Sequence, residues 1–130
     1  MRYVLKRTTK ICLVLVLVSW SLTSHSQDDS RQTAFALEQQ GKTTEAEAAW
    51  SALAKAYPTN PEPFAHLGLL EARQEHYTEA VAAYRKAMAL DPTMPRLRFN
   101  LGLAYFKAGE YKDALQQFQP LIKTETPDSE

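Results

Sequence analysis

The sequence predicts an all-α fold of about three antiparallel helix pairs, and three observations carry that prediction. Apolar residues recur at spacings of three and four, as in Leu67 and Leu70, or Ala80, Ala83, Tyr84 and Ala87, which is the period of a helix face. Break signals separate these stretches at Gly41-Lys42, Pro58-Thr59-Asn60-Pro61, Asp91-Pro92 and Gly109. The pattern also repeats itself: Ala46, Ala80 and Ala114 are spaced by 34 residues, as are Trp50, Tyr84 and Phe118.

Six helices follow from these signals, near 28–40, 44–57, 61–74, 77–90, 95–108 and 111–123. The first ends at Gly41, which has a counterpart two periods on at Gly109, with Glu75 at the place between. The second carries Thr44 and Glu47 at its start, the residue types of a capping box. Pro58 and Pro92, 34 apart, end the second helix of a pair, because the residue before a proline avoids helical geometry. Leu67-Gly68-Leu69 recurs as Leu101-Gly102-Leu103. Gly68 and Gly102 are expected opposite Ala80 and Ala114, where small side chains let two helices cross closely. The aromatics Trp50, Tyr84 and Phe118 are expected to fill the wedge between neighbouring pairs. One pair cannot bury its own apolar face, and stacking pairs makes a continuous core.

Composition bounds the function. The 130 residues suffice for one domain, and 45% hydrophobic with 23% charged residues is ordinary for a globular chain. From Gln27 onward there are 11 basic and 15 acidic side chains, a net of −4, with no basic stripe; nucleic acid is not expected as a partner. Cys12 is the one cysteine and lies in the N-terminal apolar run.

Residues 1–26 have the layout of a secretory signal peptide. Arg2, Lys6, Arg7 and Lys10 precede the apolar run Ile11 to Leu22, and small polar residues follow up to Ser26. The run is short for a bilayer span, which needs roughly 20 residues. Two fates stay open: removal after Ser26, giving an exported periplasmic or secreted chain, or retention of residues 11–22 as a membrane anchor. Membrane contact is expected only through that segment.

With these residues in place, the chain resembles the tetratricopeptide repeat. Repeat two (61–94) supplies Phe64, Leu67, Gly68, Ala80, Tyr84, Ala87 and Pro92 and departs at Glu71. Repeat three (95–126) supplies Leu101, Gly102, Tyr105, Ala114 and Phe118 and departs at Arg98 and Leu121. Repeat one (27–60) is degenerate in its first helix but keeps Ala46, Trp50 and Pro58; residues 127–130 form a short polar tail. The resemblance implies a right-handed α-solenoid with a concave groove that binds protein or peptide segments. It implies groove-lining positions at Arg31 and Phe35 in the first repeat, Ala65 and Leu69 in the second, and Arg96, Phe99, Asn100, Leu103 and Phe106 in the third. The clamp by which some family members hold the C-terminal carboxylate of heat-shock chaperones is matched at Arg31 and Arg96 but not at Phe35, His66 and Asn100, and that ligand is not expected. The polar residues from Thr124 to Glu130 leave no room for a capping helix, so self-association through the last repeat, or a longer array, is the alternative reading.

No catalytic constellation is read from the sequence, and neither a cofactor nor a metal is expected. His66 and His76, the histidines after residue 26, are ten apart on different elements and do not form the HExxH zinc pattern. His66 is expected at the groove or surface, and His76 in a turn. The glycines are scattered singly, and carboxylates such as Glu71, Glu75 and Glu79 have ordinary helix-surface spacing.

Overall fold

A computed structural model describes residues 26–123, and all regular structure among them is helical. The order is α1 over 26–39, α2 Thr43–Ala56, α3 Pro61–Arg73, α4 Tyr77–Leu90, α5 Leu97–Lys107 and α6 Tyr111–Lys123. Each expected helix is present, with ends that differ by at most two residues. The N-terminal apolar run, and with it the expected signal peptide up to residue 25, lies outside the described residues. Among the described residues no helix is long and apolar enough to cross a membrane.

The same turn joins the two helices of every pair. Gly41, Glu75 and Gly109, one period apart, all take left-handed backbone, with φ of 71°, 66° and 84°. At each, the following N–H reaches back across the helix end: Lys42 to the Leu37 carbonyl, His76 to Glu71 and Glu110 to Tyr105, at 2.9 to 3.0 Å. This is the glycine-type C-cap, which satisfies carbonyls the helix leaves orphaned. Glu75 adopts it with a side chain, at a steric cost that glycine avoids. Glu75→Gly is therefore expected to stabilise the fold by about 1 kcal/mol, read as a rise in the urea midpoint.

Two local expectations need correction. The capping box at Thr44 and Glu47 does not form: α2 starts one residue earlier, and its N-cap is Lys42, with no side-chain cap bond. The tight turn leaves no room for an extra residue, because the Lys42 N–H is already committed to α1. The fifth helix starts at Leu97 rather than 95. Asp91 accepts from the Thr93 N–H (2.8 Å) and hydroxyl (2.7 Å), which closes a turn after α4 and holds its carboxyl below the usual range. Arg96 then stands outside the helix in left-handed backbone. Where a true side-chain cap exists, it is Asn60, whose Oδ1 accepts the Glu62 N–H at 3.0 Å ahead of Pro61 at the first helical turn.

Neighbours in sequence pack on one another from α2 through α6. The first helices of pairs two and three, α3 and α5, also touch, whereas the second helices α4 and α6 do not. The stack is thereby tighter on the first-helix side.

The core adds to one expectation. The nearest neighbour of Gly68 on the facing helix is the ring of Tyr84: a Cβ there would lie 2.7 Å from Tyr84 Cδ1. Gly102 faces Phe118 in the same way, at 2.6 Å from Cε1. A side chain as wide as an aromatic needs the groove that a missing Cβ leaves, and the alanine one turn earlier is too short to fill it. Tyr84 also joins the cluster of Leu97, Leu101, Ala104 and Tyr105, so it spans the boundary between pairs as expected. Ala80 is fully buried in this cluster. Ala80→Leu is expected to cost about 1–3 kcal/mol by overpacking, measured by thermal melting.

Candidate binding groove

The residues expected to line a groove fall into three groups along the first helices of the pairs. At the N-terminal end, exposed Arg31 pairs with Glu62 across α1 and α3 at 3.5 Å, and half-exposed Phe35 stands edge-on to His66 with centroids 6.1 Å apart. In the middle, Leu69, Asn100 and Leu103 line one depression, with Ala65 beside them on α3 and packed toward the core. At the C-terminal end, Phe99 leans on Phe118 (5.9 Å) and Phe106 on Tyr111 (5.5 Å). These two point toward α6 rather than into the depression. Arg96 is exposed, and its carbonyl accepts the Asn100 N–H at 2.9 Å.

His66 is not a free groove residue. Its ring stacks on Trp50 with centroids 4.1 Å apart and planes 5° from parallel, and its Nδ1 lies 2.7 Å from Glu38 Oε2. Among the described residues, Glu38 is the buried charged residue. It also accepts from Trp50 Nε1 at 3.2 Å and from Arg73 at 3.3 Å. A carboxylate only accepts, so three donors from α2 and α3 satisfy it, and the three helices of the first junction are tied at one point. Burial draws His66 in because its ring is the flat face that covers Trp50.

The middle depression has a volume of about 260 Å³. Leu69, Ala72, Leu103 and Ala104 make its apolar floor, and Tyr77, Tyr84, Asn100 and Lys107 stand around it. Reading groove positions from the sequence missed Ala72, Ala104, Lys107 and both tyrosines. Ala72 and Lys107 were findable, since they follow Leu69 and Asn100 by three and seven residues on the same helix face. The tyrosines belong to α4 and enter only through the way the helices pack. Burial pushes the Tyr84 phenol up to about 12, Glu38 adding to the rise and Arg73 opposing it. A folded-state value above the ordinary 10 means stability is full below pH 10 and lost as pH rises toward 12. That loss should reach about 2–3 kcal/mol in alkaline melts, and Tyr84→Phe should lack it.

Models of known families match along this chain: a TPR repeat model over residues 70–109 and a tetratricopeptide repeat model over 32–60 and again over 97–125. The chain is a tetratricopeptide-repeat protein. No curated protein sequence matches it. Among solved structures it is similar to the second TPR of Spaghetti (RPAP3) bound to the HSP90 peptide SRMEEVD, with TM-score 0.70 and 19% identity over 76% of this chain and 92% of that one. It is also similar to the TPR2B domain of yeast Sti1 in complex with pHsp70, with TM-score 0.68 and 20% identity over 72% and 74% of the two chains. A third neighbour is the Yersinia enterocolitica type III secretion translocator chaperone SycD in an alternative dimer, with TM-score 0.67 and 24% identity over 76% and 77%. At these identities the likeness is one of fold.

The last tetratricopeptide repeat presents an apolar end face. Phe99, Leu103, Phe106, Leu115 and Ile122 are each between 41% and 62% exposed. One period earlier stand Ala65, Leu69, Ala72, Val81 and Met88; Val81 is buried, and Ala65, Ala72 and Met88 pack against the cluster that α5 completes. The exposed stripe thus occupies the places that a following repeat covers inside the molecule. Among the described residues no three His, Cys, Asp or Glu side chains group to hold a metal ion. His76, the N-cap of α4, lies 3.0 Å from Glu71 in the turn.

Proposed function

We propose that the chain is a non-catalytic scaffold that binds a protein or peptide segment in the concave groove after export from the cytoplasm. The observation that supports this most directly is the middle depression. It offers an apolar floor of the size of one large side chain, rimmed by Asn100 and Lys107, which can hold polar groups of a backbone or side chain. The HSP90 and Hsp70 ligands of the neighbours support a polypeptide as the class of ligand. They do not extend to the same ligands here, because Phe35, His66 and Asn100 replace residues of the family's clamp and His66 is engaged with Glu38. A random peptide library selected on the full chain should yield binders with an apolar anchor, and Leu69→Glu should weaken them at least tenfold. Binders indifferent to Leu69→Glu would sink the groove reading. Export is tested by the N-terminus of the protein recovered from the non-cytoplasmic fraction, expected at Gln27; an intact Met1 in the cytoplasmic fraction would contradict it.

The end face supports a second reading, self-association through α5 and α6. Its stripe contains no charged side chain, so pairing it with itself opposes no like charges. Phe99, Leu103, Phe106, Leu115 and Ile122 offer on the order of 500 Å² of apolar surface, a large share of the roughly 800 Å² per partner that stable complexes bury. Head-to-tail stacking is disfavoured: α3 buries Pro63 and packs Leu67 against the cluster of the first pair, and α5 buries Leu97 and Leu101, whereas α1 carries Asp29 and Thr33 at those places. Sedimentation of the full chain should show a dimer that Leu115→Glu with Ile122→Glu dissociates; a species unchanged by that pair would refute this reading.

A further inference from the structure

The middle depression is the Glu38 site moved along by one repeat, with its carboxylate missing. A shift of 34 residues carries Glu38 to Ala72, and it carries the three donors Trp50, His66 and Arg73 to Tyr84, Asn100 and Lys107. All four of these shifted residues line the depression. In the first junction Glu38 fills the site and satisfies its donors at 2.7 to 3.3 Å. In the second junction Ala72 stops short, and the space it leaves is the cavity of about 260 Å³. The three side chains around it keep their capacity to donate. Lys107 is an ammonium, Asn100 carries an amide NH₂, and the Tyr84 phenol stays protonated up to about pH 12. Among the described residues, Lys107 has no ion pair and the Tyr84 hydroxyl no hydrogen bond, whereas Arg73, the counterpart of Lys107, is paired with Glu38.

We propose that this depression is a binding site for the carboxylate of an acidic side chain, a glutamate or aspartate, borne by the polypeptide that lies in the groove. The carboxylate occupies the place above Ala72 that Glu38 holds one repeat earlier. It accepts from Lys107 and Asn100, with Tyr84 at the rear, and the apolar stem or an adjacent apolar residue rests on Leu69 and Leu103. Charge-assisted bonds of this kind give the strongest discrimination when the donors are already in place, as the neighbouring junction demonstrates within the same chain. The proposal rests on the groove reading and adds to it the chemical class of the ligand.

The test uses the full chain and a blocked pentapeptide, acetyl-Ala-Leu-Glu-Leu-Ala-amide, beside its glutamine counterpart, followed by NMR at the Asn100 side-chain amide. The glutamate peptide is expected to shift that resonance and to bind at least fivefold more tightly than the glutamine peptide, an advantage lost in Lys107→Ala. Equal binding of both peptides in the groove overturns the carboxylate site and leaves the groove reading standing. No shift with either peptide overturns both. Sodium acetate reproducing the whole shift at the same concentration overturns the assignment to a polypeptide and points to a small carboxylate. A second measurement needs no ligand: Ala72→Glu supplies the carboxylate from the chain itself. It should melt higher than Ala72→Gln, with the difference abolished by Lys107→Ala; a variant pair that melts alike, with or without Lys107, overturns the proposal.

Discussion

Trp50→Ala is expected to destabilise the protein by about 3–5 kcal/mol. Trp50 is fully buried, its ring is the floor on which His66 stacks, and its N–H holds Glu38. Truncation leaves a cavity at the junction of three helices and takes a donor from a buried carboxylate. Repeat stacks are held by nearest-neighbour interfaces, so the loss falls first on α1 and α2 while α3 to α6 keep their own cluster. Circular dichroism should show part of the helical signal melting early and the remainder later. A variant melting in one step at the original temperature would show that the first junction does not depend on this ring. Trp50→Phe refills part of the volume and isolates the N–H contribution.

Glu38→Ala carries the second largest expected effect, about 2–3 kcal/mol. The substitution leaves the Trp50 N–H buried without an acceptor and releases His66. Its pairing with Arg73 adds little, because the Arg73 side chain is 52% exposed and screened by water. Glu38→Gln keeps an acceptor for the indole and should cost less than half as much. Glu38 and Trp50 act as one unit, so the double variant should lose clearly less than the sum of the single ones. Strict additivity in denaturant melts would contradict the hydrogen-bonded network.

The helices were legible because the period of 34 places the same break at the same point of each pair. Gly41 and Gly109 mark a left-handed cap, and Glu75 takes the same geometry because the hydrogen bonds to Glu71 and Ala72 impose it. The capping box was misread because Thr44 and Glu47 match its residue types, while the backbone of the preceding turn had already fixed the helix start at Thr43. The late start of α5 was set by the Asp91–Thr93 turn, a local contact that competes with helix formation.

The groove was legible only in part. Positions on the first helices follow from the repeat, and they bring Leu69, Asn100 and Leu103 to one place. The Glu38 network was not legible, because it joins residues 12 to 35 positions apart and exists in one repeat only. At its place the other repeats carry Ala72 and Phe106, which no periodic pattern marks as related. Phe99 and Phe106 share a helix face with Leu103, yet their contacts with Phe118 and Tyr111 turn them to the end of the stack.

Groove binding is tested most directly by a photo-cross-linking residue, p-benzoylphenylalanine, placed at Leu69 on the concave wall and, in a separate variant, at exposed Ala82 on α4. Illumination of cells producing the full chain should join a second polypeptide to position 69 and none to position 82. Cross-links formed as readily from position 82, or formed from Leu115 on the end face and never from Leu69, would contradict a ligand in the groove.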